Sequence, residues 1–243
     1  MKVFAFATRN AKEILRDPIN LLFGVGFPLV LIFLLSVLQS NIPVNLFEIG
    51  RLTPGITVFG LSFMTLFSAT NVAKDKSSSF LQRLYTTPLT PIDFILGYTL
   101  PLIPISVAQC IVCYIAAIFL GLEITINILY AVAFIIPISV FYIALGLLCG
   151  SVLNDKQVGG VCGALLTNLS AWLSGVWFDI ELLGGVFKKI AYCLPFVHSV
   201  ELERAVLEGR FTDIAGHLFW VLGYATVFVL LSITLFLRQM KRN

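Results

Sequence analysis

The sequence predicts an all-α integral membrane protein with six transmembrane helices, an N-terminal amphipathic interface helix, a short helix in an inner loop and short re-entrant helices on the outer side. Three observations lead there. Of 243 residues, 58% are apolar and 12% charged, against roughly 25% charged in an ordinary soluble domain, and mean hydropathy is +0.97. The apolar residues fall into six long runs. Basic residues cluster at the ends of those runs while the net charge is only +3, which suits membrane flanks better than nucleic acid.

The runs cover residues 21–39, 54–73, 94–120, 128–153, 158–178 and 218–237. Each is long enough for a hydrocarbon core of about 30 Å, which takes roughly 20 helical residues. The third and fourth hold Pro101, Pro104 and Pro137, which predict kinks or tilt. Lysine and arginine set the orientation. Eleven lie on the side of the two termini and five on the other side, so the positive-inside rule places both termini in the cytoplasm. Residues 1–16 mix charged with apolar positions and lack the short apolar core and small-residue cleavage site of a signal peptide.

Those first residues read as an amphipathic helix, with the interface segment running to residue 17. Phe4, Ala7, Ala11 and Ile14 share one face, while Arg9, Lys12, Glu13 and Arg16 lie largely on the other. Such a helix rests in the membrane interface. Asp17-Pro18 ends it and leads into the first span.

The inner loop after the second span reads KDKSSSFLQRLYTTPLTPID over residues 74–93. Ser77–Ser79 provide helix caps, Phe80, Leu81, Leu84 and Tyr85 form an apolar stripe, and Pro88 and Pro91 end it. A short amphipathic helix there has nothing of its own to bury against, so it docks into a partner or packs on the membrane surface. Residues 179–216 follow the fifth span on the outer side. Gly184-Gly185, Lys188-Lys189 and Pro195 break their apolar stretch, which is too short and too charged for another span. A pair of short re-entrant or interfacial helices fits. Gly146-x-x-x-Gly150 and Gly159-x-x-x-Gly163 are helix-packing patterns, with the partner helix left open between this chain and a second subunit.

No acidic residue or lysine sits in the middle of a span, which argues against a proton- or sodium-coupled carrier. The sequence has no phosphate loop, no H-E-x-x-H pair and no nucleophile with its base, so it is not expected to be an enzyme, to bind a metal or to hydrolyse nucleotide. Cys110 and Cys113 have redox spacing but lie within an apolar run without acidic or histidine neighbours, and read as small apolar helix residues. His198 and His217 read as ordinary interfacial side chains. Ser62, Thr65 and Ser68, with Thr167 and Asn168, either line a pathway for an amphiphile or make bonds between helices.

Two segments resemble the type-2 permeases of ABC exporters, the membrane subunits of bacterial drug, antibiotic, peptide and polysaccharide efflux systems. Residues 73–97, AKDKSSSFLQRLYTTPLTPIDFILG, are similar to that family's E-x-x-x-G-T-hydrophobic-x-x-L-x-x-x-P coupling segment. Leu81, Leu84, Pro88 and Gly97 match it, Asp75 stands near the usual Glu, and serine replaces Gly-Thr. The outer segment aligns Ser174, Gly175, Pro195, Arg204 and Gly209 with the family signature, with Asp179 where a proline is common. Leu15-Arg16-Asp17-Pro18 also fits.

The resemblance implies one permease domain over residues 1–243, with a coupling loop at 74–91 and an outer re-entrant gate at 179–216. It implies a homodimer or heterodimer in a bacterial inner membrane. A separate ABC ATP-binding protein, carrying ATP and magnesium, would couple through Asp75, Phe80, Leu81, Leu84, Tyr85 and Pro88. The cargo would be a small amphiphile, drug or peptide leaving the cytoplasm. The rival reading is an ATP-independent immunity or scaffold protein that sequesters a peptide.

Overall fold

The computed structural model describes residues 2–43, 46–78, 80 and 90–242, with the side chains of 2, 20, 183 and 239–242 left aside. Among these residues every regular element is helical. Helix α1 is Lys2–Leu15. The short turn Pro18–Leu21 leads into α2, Leu22–Ser40, whose first turn is π-helical. Helix α3, Ile49–Ser77, is two stacked segments that meet at Leu61. Helix α4, Pro91–Phe119, is interrupted between Thr99 and Leu102, next to Pro101, as the prolines predict. Helix α5, Ile126–Val152, runs through Pro137 without a break in its helical assignment. Helix α6 covers 155–173 with a π-helical centre, Gly159–Leu166. Two short helices follow, α7 (Gly185–Cys193) and α8 (Pro195–Leu207), and then α9, Phe211–Arg242.

Five helices, α2 to α5 and α9, are long and apolar enough to cross a membrane. The run expected as the fifth span, residues 158–178, is helical only to Leu173 within α6, which opens with Asp155, Lys156 and Gln157 and carries Asn168, so it falls short of the apolar character of the other five. Local chemistry sets several boundaries. Thr90 and Asp93 form a capping box at the start of α4, with Pro91 in the first turn. Asn154 and Gln157 do the same for α6. Pro195 opens α8.

Helix α3 is the centre of the bundle: its apolar stretch is 83% buried, while that of α2 is 22% and that of α9 17%. It lies against α5 at backbone distance. A Cβ on Gly146 would overlap the Thr65 carbonyl, and one on Gly150 would fall 2.6 Å from the Ala69 carbonyl oxygen. The first small-residue motif therefore serves a partner within this chain. Gly163 faces Leu66 of α3, and nothing described lies near Gly159. Helix α8 sits among α3, α5 and α9 and is buried almost throughout.

Helix α1 packs on the start of α4, with its inward face rotated from the expected one. Phe6, Ala7, Asn10 and Ile14 are buried, whereas Phe4 is 71% exposed. A Cβ on Gly97 would overlap the Phe6 ring, which also meets Tyr98 edge-on at 4.9 Å. Gly97→Val should therefore cost about 1–3 kcal/mol as overpacking, read as a lower melting temperature of the purified chain. Adding Phe6→Ala should recover part of that loss, and simply additive losses would sink this account.

Candidate functional site

Two neighbouring residues at the end of α3 join four helices. Asp75 is 2% exposed. Arg9 of α1 grips both its oxygens, Nη1 to Oδ2 at 2.6 Å and Nη2 to Oδ1 at 2.7 Å, the bidentate geometry that suits arginine. Tyr98 of α4 donates to the same carboxylate at 2.7 Å. Lys76 turns the other way. Its Nζ donates to the carbonyls of Gly150, Ser151 and Leu153 at 3.2, 3.1 and 2.7 Å. These are carbonyls at the end of α5, where a helix leaves acceptors unsatisfied and favours a cation. Asn10 adds a bond to the Gly97 carbonyl at 3.0 Å.

This junction touches the predicted coupling segment directly. The Arg9 guanidinium lies over the Phe80 ring, 4.2 Å from its centroid, a cation–π contact. Leu81, Leu84, Tyr85 and Pro88 lie outside the described residues. Arg16 is at the end of the α1 segment, with Arg9 and Lys12 along the same open groove.

The opposite end of the bundle has its own knot. Arg204 of α8 donates to the Gly175 carbonyl at 2.9 Å, to the Arg51 carbonyl at 3.3 Å and to Glu201 at 2.8 Å. Gly175 takes φ +76°, a conformation that favours glycine, and this presents its carbonyl to Arg204. Ser174 is buried beside it and bonds the Ala171 carbonyl. A cleft of about 140 Å³ opens here, lined by Arg51, Trp177, Asp179 and Arg204 among others. Pro195 and Gly209 bracket α8, and Gly209 has φ +75° next to Asn127.

The hydroxyl stripe of the second span is enclosed in the α3–α5 seam. Thr65 donates to the Tyr142 carbonyl at 2.8 Å and Ser68 to the Ile143 carbonyl at 3.2 Å. Ser62 is buried without a hydrogen-bond partner. Thr167 and Asn168 bond carbonyls within α6, and Asn168 faces outward. Of the two alternatives for this set, Thr65 and Ser68 thus supply the bonds between helices.

Sequence reasoning missed a carboxyl in the bundle interior. Among the described residues no acidic side chain sits in the middle of a span, but α8 delivers Glu203 into that interior, fully buried. Tyr114 donates to its Oε1 at 2.9 Å, while its Oε2 has no partner. Nearby, Gln109 bonds the Thr57 carbonyl at 3.0 Å, and its Oε1 and the Thr57 hydroxyl are likewise without one. Burial pushes the Glu203 carboxyl up to about 8, so it is held as the neutral acid at neutral pH. The sequence Glu201-Leu202-Glu203-Arg204 looks like a solvated helix face, which concealed this. Cys110 and Cys113 are free, buried thiols, as expected of small apolar residues.

The apolar helices, tied by a charged knot at each end, define a polytopic membrane protein. The family model described as ABC-2 type transporter matches residues 1–207, and the chain belongs to that family. That family comprises membrane permease subunits, which generally work with a separate ATP-binding subunit. Two relatives named "Putative transport permease ycf38" are similar to it. The one from Pyropia yezoensis is 31% identical over 126 residues, covering 49% of this chain and 43% of the relative. The one from Porphyra purpurea is 32% identical over 126 residues, with the same coverage. The match thus spans less than half the length of these curated relatives.

Unequal losses are expected at the Arg9–Asp75 pair. Arg9→Leu leaves a buried carboxylate with a single hydroxyl donor and should destabilise by about 3–5 kcal/mol. Asp75→Asn should cost less, because Arg9 is partly exposed and keeps Glu13 at 2.9 Å. Chemical unfolding in detergent ranks the two, and the reverse order would refute the account. For Glu203, the unfolded carboxyl releases its proton near its ordinary value of 4.5, while the folded one keeps it to about 8. Stability should therefore fall as pH rises through that window. Glu203→Gln should flatten the fall in melting temperature between pH 5 and 8; an unchanged slope in the variant would show that Glu203 does not set it.

Proposed function

We propose that this chain is the transmembrane half of an ATP-driven exporter, whose force enters through the segment after α3. The observation that carries this is the Asp75-Lys76 junction: any displacement of Phe80 and the residues beyond it acts on the point where α1, α3, α4 and α5 are joined. A docked ATPase pushing on residues 74–91 would thereby move the interface helix and three spans together. Positive-inside counting supports a cytoplasmic setting for that end. Helix α6 serves as a sixth span and α7–α8 as the re-entrant outer gate, held shut by Arg204 on Gly175. The open face around Gly159 and the outward Asn168 suit a second permease subunit, the same or a homologue. ATP and magnesium sit on the partner ATPase. The cargo is a small amphiphile, drug or peptide moved out of the cytoplasm.

Co-expression with the ATP-binding protein encoded beside it tests this. The two should co-purify with vanadate-sensitive ATPase activity. Leu81→Asp or Leu84→Asp should reduce ATPase-coupled transport at least about tenfold, the effect of a charge in a docking core. Lack of co-purification together with unaffected Leu81 and Leu84 variants would favour the ATP-independent scaffold instead.

A further inference from the structure

Helices α7 and α8 are fastened to α9 through one imidazole ring. His198, in the first turns of α8, and His217 of α9 face each other with their Nδ1 atoms 2.9 Å apart. The other nitrogen of His198, Nε2, lies 3.0 Å from the Tyr192 carbonyl oxygen near the end of α7. A carbonyl only accepts, so Nε2 carries a hydrogen. In neutral His198 the Nδ1 is then a lone pair, and His217 must donate its Nδ1–H to it. The His198 ring also lies flat on Trp220 of α9, with centroids 4.9 Å apart and planes at 8°. Beside it, Tyr224 of α9 donates to the Cys193 carbonyl at 2.7 Å.

The link between the rings survives only some protonation states. A proton added to His217 goes to its Nε2 and leaves the link intact. A proton added to His198 goes to Nδ1, and a neutral His217 then keeps the link by carrying its hydrogen on Nε2 and accepting at Nδ1; only when both rings are protonated do two N–H groups face each other at hydrogen-bond distance. Few charged groups surround the ring, and each is already engaged. On α8, Glu201 pairs with Arg204 at 2.8 Å and lies 3.9 Å from Arg210. On α9, Asp213 pairs with Arg210 at 2.7 Å. Lys188 of α7 pairs with Glu181 and lies 5.9 Å from the Tyr192 ring. Arg51 of α3 is directed to Asp179, 3.9 Å away. No carboxylate is therefore free to hold a His198 cation, and burial lowers the affinity of this ring for a proton below that of an ordinary imidazole. The same engagement argues against a metal ion: the described residues contain no group of three metal-ligating side chains.

We propose that the His198–His217 contact is an acid-sensitive latch, closed while at least one of the two rings is neutral and opened when both are protonated, which loosens the α7–α8 junction from α9. The ligand of this site is the proton. The latch rests on this geometry alone and holds whether or not the chain exports anything.

The full chain in lipid nanodiscs tests it without any substrate. Trp172→Phe with Trp177→Phe leaves Trp220 as the sole indole. An imidazolium stacked on that indole quenches its emission, so fluorescence should titrate with a midpoint below about 6.5, the ordinary histidine value. The titration should vanish in His198→Gln. Amide-exchange protection over residues 185–200, corrected for intrinsic rates, should fall about fivefold to tenfold from pH 8 to pH 5, the worth of one hydrogen bond. In His217→Gln the fall should be absent, because an amide can donate to neutral His198 or turn and accept from the cation. Equal protection at both pH values in the wild-type chain would overturn the proposal, and so would an undiminished loss in His217→Gln.

Discussion

A carboxylate buried at the end of an apolar helix is the constraint from which much of this architecture follows. Asp75 cannot stay charged there without a cation and further donors. Arg9 supplies a two-pronged grip and Tyr98 a hydroxyl. Meeting that demand fixes both the height and the rotation of α1. With Arg9 committed to Asp75, Phe6 comes down on Gly97 and Asn10 reaches the Gly97 carbonyl. Lys76 then uses the next position along the chain to close the end of α5.

The other end solves a related problem with neutral acceptors. Arg204 is 6% exposed, and its partners include two backbone carbonyls as well as Glu201. Its neighbour Glu203 avoids the cost of a buried charge by keeping its proton. Helix α8 thus carries an arginine and a carboxyl into the bundle without a salt bridge between them. Its depth depends on the protonation of Glu203 and on the carbonyl that Gly175 presents.

Much of the fold was legible because bilayer-length apolar runs and capping residues are local signals. Among the described residues the runs located five helices long and apolar enough to cross a membrane, Pro101 marked the interruption of α4, and Thr90 with Asp93 marked its start. The site was legible in its residues more than in its connections. Asp75, Gly97, Gly175 and Arg204 were singled out by pattern, but Arg9 and Asp75 stand 66 positions apart, and no periodicity joins them. The rotation of α1 was misjudged because Phe4 and Phe6 are equally apolar, and the distant Arg9–Asp75 bond together with the space beside Gly97 decides which one turns inward. Glu203 was passed over because charge in a short amphiphilic helix normally faces water. The latch histidines looked ordinary because each is ordinary alone.

The close seam between α3 and α5 has a mechanical consequence. Two rods in backbone contact at Gly146 and Gly150, cross-bonded by Thr65 and Ser68, resist bending as one thicker beam, since a close-packed interior is barely compressible. A load on one end of that beam is not absorbed along its length. It emerges at Leu61, where the two segments of α3 meet and the seam with α5 ends. The stiffness of one helix pair thus sets how much of a movement at Asp75 survives as far as that joint.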